Sequence, residues 1–125
     1  MKTVLVDTSV WVDHFRKRNS TLVELLLMDR VICHPFIVGE IACGTPPNRQ
    51  HTLADFNSLQ QAKQASMPEL LALIEREQLF GLGCGLVDLM LLASALLSDA
   101  ELWTLDKRLG QLADRFGVLH NPAVH

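Results

Sequence analysis

The segment Thr3-Val4-Leu5-Val6-Asp7-Thr8-Ser9-Val10-Trp11, residues 3–11, decides the predicted fold. Its first four residues are mostly β-branched and apolar on both faces, which is typical of a short parallel strand buried within a sheet. Thr8 or Ser9 is predicted to cap a helix that continues to Arg16. A buried strand that leads directly into a helix favours an α/β fold.

The rest of the chain continues this alternation of strands and helices. Pro35 suits the first turn of a helix that ends at Gly44, and Ser66-Met67-Pro68-Glu69 has the spacing of a capping box. The strongly apolar segment Leu86–Leu97 is predicted to be the central core helix. Further strands are predicted at 31–33, 102–105 and 118–119, and helices at 20–29, 35–43, within 52–65, and at 67–79, 86–97 and 107–116. This order predicts a central parallel sheet covered by helices on both sides.

The length and composition indicate one globular domain spanning residues 1–125. No apolar stretch is both long enough and free of charge to span a bilayer, and Asp7 interrupts the first apolar run too early for a signal peptide. We therefore expect a soluble, cytoplasmic protein with no membrane association. The cysteines have no paired spacing and are predicted to be buried thiols in a reducing compartment: Cys33, Cys43 and Cys84. A zinc site built from these cysteines and the histidines is an alternative, but no C-x-x-C or H-x-x-x-H motif supports it.

The charge distribution bears on nucleic-acid binding in two opposite ways. A net charge of −3 counts mildly against a partner made of phosphates. Two basic runs, Arg16-Lys17-Arg18 and Lys107-Arg108, are nevertheless candidates for phosphate contacts. Since such runs are more often simply solvated, the charges alone leave both interpretations open.

Four acidic residues are the candidates for chemistry. Asp7 and Asp106 are each predicted to follow a strand directly, so both should lie at the carboxyl edge of the parallel sheet, where ligand sites form. Glu40 lies in the helix after the second strand, and Asp88 in the first turn of the helix after the glycine-rich loop. Each also has a structural explanation: Asp7 and Asp106 as helix caps, Asp88 as a first-turn acid, and Glu40 as a solvated residue.

Converging carboxylates repel one another, and no basic residue is placed to neutralise all four. A divalent cation with oxygen ligands would neutralise them, and Mg²⁺ commonly takes a few carboxylates and keeps several waters. Such a cation can activate a water and clamp a phosphodiester for attack. The hydroxyls of Thr8, Ser9 and Thr104 lie beside the acids in sequence and are suited to holding a metal-bound water or a phosphate oxygen, although caps and strands use the same residues.

Four blocks of sequence resemble those of the PIN-domain nucleases, in the same order and at compatible spacing, over nearly the whole chain. They are Val6-Asp7-Thr8-Ser9-Val10-Trp11, Gly39-Glu40-Ile41, Gly85-Leu86-Val87-Asp88 and Leu102-Trp103-Thr104-Leu105-Asp106-Lys107-Arg108-Leu109. The resemblance is strongest to the VapC-type toxins of bacterial toxin–antitoxin pairs. No family block is identified between Pro46 and Ala65.

The resemblance implies a three-layer α/β/α fold whose acidic pocket binds Mg²⁺, or Mn²⁺ in its place, and cleaves RNA. It also implies a homodimer that is silenced by a cognate antitoxin encoded nearby. By position, Asp7 and Asp88 correspond to the metal ligands, while Glu40 and Asp106 complete the catalytic set. A housekeeping RNA-processing nuclease without an antitoxin is the main alternative.

Other acidic α/β proteins fit the pattern less well. A receiver-like signalling module needs adjacent acids after the first strand, whereas Asp7 is followed by Thr8 and Ser9. A phosphatase of the haloacid dehalogenase type needs D-x-D there, and position 9 is Ser. Finally, the segment 22–28 is apolar around nearly the whole predicted helix, which predicts a surface for an antitoxin helix at Leu22, Leu25 or Leu26.

Overall fold

The sheet has four strands, and the strand that opens the chain lies at its centre. A computed structural model describes residues 1–122, so the last three residues of the predicted domain lie outside the described part. The strands are β1 (Val4–Val6), β2 (Val31–Cys33), β3 (Gln60–Gln61) and β4 (Glu101–Trp103), in the spatial order β3-β2-β1-β4. Every neighbouring pair is parallel. All carboxyl ends therefore meet at one edge of the sheet, as the sequence predicted.

Seven helices cover this sheet within residues 1–122. They are α1 (Thr8–Arg16), α2 (Ser20–Leu27), α3 (Pro35–Ala42), α4 (Arg49–Ser58), α5 (Met67–Glu77), α6 (Leu86–Leu97) and α7 (Lys107–Arg115). Helix α6 packs on β1 and β4 between α5 and α7, while α3 packs against α1 and α4. The predicted three-layer α/β/α architecture is confirmed.

Local signals place several helix starts as predicted. The capping box of α5 is complete: Ser66 Oγ accepts from the Glu69 amide at 3.2 Å, and Glu69 Oε1 accepts from the Ser66 amide at 2.8 Å. Pro35 occupies the first turn of α3, which His34 caps by accepting the Phe36 amide. One cap prediction is wrong, because the residue at the start of α1 is Asp7 rather than Thr8 or Ser9. Its carboxylate makes no cap bond and is held elsewhere.

The other differences lie at short or polar elements. Strand β3 was not predicted, since its two glutamines are exposed and lack an apolar pattern; an edge strand tolerates this. The strand predicted at 102–105 ends at Trp103, and the one predicted at 118–119 is a single parallel bridge between Leu102 and Leu119.

The core lies mainly between the sheet and α6. Residues Leu89 to Ala95 of that helix are all buried, which confirms its predicted central role. Helix α2 differs from expectation, because Leu22 and Leu25 are sealed in the core and Leu26 is only half-buried. Its exposed apolar side chains are instead Leu27, at 82% exposure, and its C-terminal neighbour Met28.

All three cysteines are free thiols, but they are not all buried. Cys33 is buried as expected, Cys84 is half-buried and Cys43 is exposed. Cys43 was predicted wrongly because it occupies the end of α3, where the helix meets solvent. No helix within the described residues has the length and apolar character needed to cross a membrane.

Candidate active site

Asp7 is the most tightly held of the four acids. It directly follows β1, the central strand, and only 6% of its surface is exposed. Ser9 Oγ donates to Asp7 Oδ2 at 2.7 Å, and Thr104 Oγ1 donates to the same oxygen at 2.8 Å. Both hydroxyl protons therefore point at one carboxylate oxygen. The side chain of Asp7 is thereby oriented, and its second oxygen, Oδ1, makes neither of these contacts.

The two hydroxyls are themselves fixed by the chain that follows β4. Ser9 Oγ accepts the Leu105 amide at 3.0 Å, and Thr104 Oγ1 accepts the Asp106 amide at 3.0 Å. This relay runs from backbone amide to hydroxyl to carboxylate, and it joins the start of α1 to a loop almost a hundred residues away. In this arrangement Ser9 and Thr104 orient a carboxylate, and their predicted contact with a water or a phosphate oxygen stays a prediction.

Glu40 reaches the same region from a different helix. Helix α3 packs against α1, and Thr8 Oγ1 donates to Glu40 Oε1 at 2.7 Å. The third predicted hydroxyl therefore also serves a carboxylate. Glu40 is otherwise exposed, while its neighbour Ile41 is buried and anchors this turn of the helix.

Asp88 experiences the charge of the other three acids. It lies in the first turn of α6, half-buried, just after the glycine-rich loop. Burial raises the pKa of its carboxyl, and the negative charges of Asp7, Asp106 and Glu40 raise that pKa further. A hydrogen bond from the Gly85 backbone opposes the shift. The charges of the other three acids thus act on Asp88, and these four residues are called the acidic cluster below.

Asp106 combines a cap with a place in this cluster. Its Oδ1 accepts the Leu109 amide at 2.9 Å, so it caps α7 as the structural explanation required. It does not follow the strand directly, since β4 ends at Trp103 and two residues intervene. Its charge nevertheless acts on both Asp88 and the half-buried thiol of Cys84.

The donor set suits a cation that keeps much of its water. Among residues 1–122, no group of three or more His, Cys, Asp or Glu side chains is arranged to hold a metal ion. Mg²⁺ is compatible with the cluster, because it is commonly bound by one or two carboxylates and completes its shell with water and substrate oxygens.

The predicted basic residues surround this cluster unevenly. Arg16 lines a groove that starts at Thr8 and Glu40, whereas Lys17 and Arg18 do not. Lys107 is an exposed residue in the first turn of α7. The guanidinium of Arg108 lies against the backbone of Gly83, and its charge opposes the raised pKa of Cys84.

Sequence reasoning did not anticipate the close approach between Gly83 and Arg108. Gly83 has φ +81°, and a Cβ at this position would collide with Arg108 Nη1 and lie 2.8 Å from its Cζ. Only glycine can occupy this position without displacing the arginine. The glycine-rich composition of residues 81–85 was a signal for a special backbone, but it did not indicate the partner.

Comparison with known proteins agrees with the geometry. A family model described as PIN domain matches residues 4–115. Ribonuclease VapC32 of Mycobacterium tuberculosis, in strains CDC 1551 / Oshkosh and H37Rv, is 43% identical over 116 residues. The alignment covers 92% of this chain and 94% of each relative. The chain therefore belongs to the PIN domain family, as a member of its VapC-type ribonucleases.

Proposed function

We propose that this chain is a Mg²⁺-dependent endoribonuclease whose site is formed by Asp7, Glu40, Asp88 and Asp106, and that it is the toxin of a toxin–antitoxin pair. The observation that carries the proposal is the placement of Asp7 at the carboxyl end of the central strand, held there by Ser9 and Thr104, in a chain that matches the PIN domain. The raised pKa of Asp88, to which the charges of the other three acids contribute, is consistent with it. A cluster with this much negative charge is stabilised by a cation. The likeness to a named ribonuclease supports RNA as the substrate.

In this proposal the four acids have separate tasks. Asp7 and Asp88 would hold the cation, and the Oδ1 of Asp7 is the oxygen that accepts no bond from Ser9 or Thr104. Bound there, Mg²⁺, or Mn²⁺ in its place, would polarise the scissile phosphate and lower the pKa of a water molecule. Glu40 Oε2 and Asp106 Oδ2 accept hydrogen bonds from water beside the phosphate, since their other oxygens accept from Thr8 and the Leu109 amide.

The basic residues supply the attraction for RNA that the net charge lacks. Arg16, Lys17 and Arg18 lie at the end of α1, and Lys107 and Arg108 at the start of α7. Lys107 and Arg108 directly follow Asp106, whereas Arg16 is at the far end of α1 from Asp7 and lines the groove that starts at Thr8 and Glu40. We assign phosphate contacts to these cations, with Arg108 held in place by Gly83.

The proposed partner is an antitoxin that covers apolar surface on α1, α2 and α4. A groove of about 210 Å³ between these helices is lined by Trp11, Phe15, Leu26, Phe56 and Leu59, together with His14, Thr52 and Asp55. An amphipathic helix with apolar anchors fits such a groove. We also propose a homodimer, and a cytoplasmic location, where RNA is accessible and thiols stay reduced.

The decisive experiment is cleavage of single-stranded RNA by the purified protein with Mg²⁺, with Mn²⁺ and with chelator. We expect internal cuts that stop with chelator and return with either metal. Undiminished cleavage in chelator would contradict the metal-dependent mechanism. A short adjacent gene whose product binds this protein and stops the cleavage would identify the antitoxin, whereas its absence would favour the housekeeping nuclease.

A further inference from the structure

A groove next to the acidic cluster extends beyond the site described above. It lies between α1, α3 and the turn that follows α3, and its volume is about 400 Å³. It is lined by Thr8, Val12, Phe15, Arg16, Glu40, Ile41, Gly44, Thr45, Pro46 and Pro47. Such a volume lies within the range of small-ligand pockets, roughly 300–1,000 Å³.

The groove is continuous with the acids. Thr8 and Glu40, joined by their 2.7 Å hydrogen bond, belong both to its lining and to the cluster around Asp88. A polymer whose phosphodiester lies at the acids would therefore bring its next unit into the groove.

The walls of the groove have the chemistry that a nucleobase requires. Phe15 is half-buried, and its ring is 6.4 Å from those of both Trp11 and Phe56, so it is held in place from behind. Val12 is 38% exposed and Pro46 is half-buried, and both add apolar surface. Aromatic and apolar side chains of this kind bind unstacked bases of single-stranded RNA.

The groove also contains a cation that is free to bind a phosphate. Arg16 is exposed and makes no ion pair or side-chain hydrogen bond with any of residues 1–122. Lys17 and Arg18 are exposed too, but neither lines the groove. An apolar wall beside a free guanidinium is complementary to a base joined to a phosphate.

We propose that this groove binds the nucleotide of single-stranded RNA that adjoins the cleaved phosphodiester. The base lies against Val12, Phe15 and Pro46, and its outer phosphate pairs with Arg16. The inference rests on the proposed function and deepens it, because it gives the enzyme a subsite that reads one nucleotide beside the cut.

The binding test uses the intact protein in chelator, so it does not depend on cleavage. Each of the four ribonucleoside 5′-monophosphates is titrated into methyl-labelled protein, and the Val12 and Ile41 signals are followed by NMR. We expect these signals to shift in the wild type and in Arg76→Ala, which alters the separate groove between α5 and α6, and to lose most of that shift in Arg16→Ala. Leu96 and Leu97, which line a separate groove between α5 and α6, serve as internal controls and should not shift.

The kinetic test uses short RNAs that lack one base at each position around the mapped cut. We expect that removing the base at one position next to the cut lowers the single-turnover rate about tenfold, since stacking of a single base contributes that much. Arg16→Ala should weaken RNA binding and reduce the salt slope by about 0.7. Arg16→Ala should also abolish the preference for that flanking base, which Arg76→Ala should retain.

Together, the NMR titration and the kinetic test distinguish a failure of the proposed subsite from a failure of the proposed nuclease function on which it rests. Absent shifts at Val12 and Ile41, or an equal penalty at every abasic position, would overturn the subsite. Shifts without any RNA cleavage would support the subsite and refute the proposed nuclease. If Arg16→Ala instead weakened only the binding of a protein partner, the groove would be assigned to that partner and the RNA subsite would be wrong.

Discussion

The start of α1 and the start of α6 place an aspartate at the same edge of the sheet, but by different means. At the start of α1, Asp7 is buried and accepts two hydroxyl protons, each hydroxyl being fixed by a backbone amide. At the start of α6, Asp88 is half-buried, has support from Gly85, and has a pKa raised by burial and by three neighbouring carboxylates. Asp7 is oriented by hydrogen bonds, whereas Asp88 is destabilised in its charged form by the neighbouring carboxylates.

The difference suggests a division of labour between the two aspartates. An oriented carboxylate such as Asp7 can position a cation, because its hydrogen bonds prevent it from turning away. A carboxylate with a raised pKa such as Asp88 gains most from that cation, because the positive charge cancels the repulsion. Four predictions test this difference between Asp7 and Asp88 and the contacts around them.

The largest effect is expected from removing either charge. Asp7→Asn and Asp88→Asn should each lower RNA cleavage by more than about a hundredfold, since cation-assisted stabilisation of the transition state contributes several kcal/mol. The measurement is the single-turnover rate with saturating Mg²⁺, and Asp114→Asn on the outer part of α7 is the control. A variant that cleaved RNA at the wild-type rate would remove its aspartate from the site.

The second effect tests the hydroxyl relay at Asp7. Ser9→Ala and Thr104→Val should each lower cleavage about 10–100-fold, because residues that orient a ligating carboxylate have effects of that size. The apparent Mg²⁺ affinity should fall in parallel, while Ser58→Ala, which removes an exposed hydroxyl on α4, should change neither. Normal Mg²⁺ affinity in both relay variants would show that Asp7 needs no help from them.

The third prediction compares two glycines of the loop before α6. Gly81 and Gly83 have φ of +70° and +81°, but only a Cβ at position 83 would meet Arg108. Alanine at either position should therefore cost similar stability, about 1–2 kcal/mol, whereas Gly83→Ala alone should weaken RNA binding several-fold. In an Arg108→Ala background the two alanine variants should bind RNA equally. A persistent difference in that background would mean that Gly83 acts independently of Arg108.

The smallest effect concerns stability without metal. Because the pKa of Asp88 is raised above its ordinary value of 3.8 on folding, the folded state binds a proton more tightly than the unfolded state. Stability is therefore lost as the pH rises from about 3.8 through the raised value. Asp88→Asn should melt roughly 2 °C higher than the wild type in chelator at pH 7, and no higher at pH 3. Calorimetry in chelator would measure this difference in melting temperature, and added Mg²⁺ should reduce it. If Asp88→Asn melted below the wild type at pH 7, Asp88 would act mainly through its interaction with the helix dipole.

Local patterns predicted much of the fold from the chain alone. The capping box at Ser66, the twelve apolar-rich residues of α6 and the strand at Val31–Cys33 appear where expected, because each depends on contacts within one element or on its uniform burial. Strand β3 could not be predicted in this way. Its glutamines pair with Ile32 and Cys33, and only the neighbouring strand makes that short polar segment extended.

The candidate site likewise has features that the sequence predicts and features that depend on tertiary contacts. The sequence by itself determined which acids stand at the ends of strands and the starts of helices, since those positions follow from the parallel order of the elements. Tertiary contacts alone bring Thr104 to Asp7 and Thr8 to Glu40, where each hydroxyl donates to the carboxylate, and place Arg108 against Gly83. Hydrogen bonds and close contacts form wherever packing brings two groups together. Asp7 and Thr104 are 97 positions apart, so no local sequence pattern could predict their hydrogen bond.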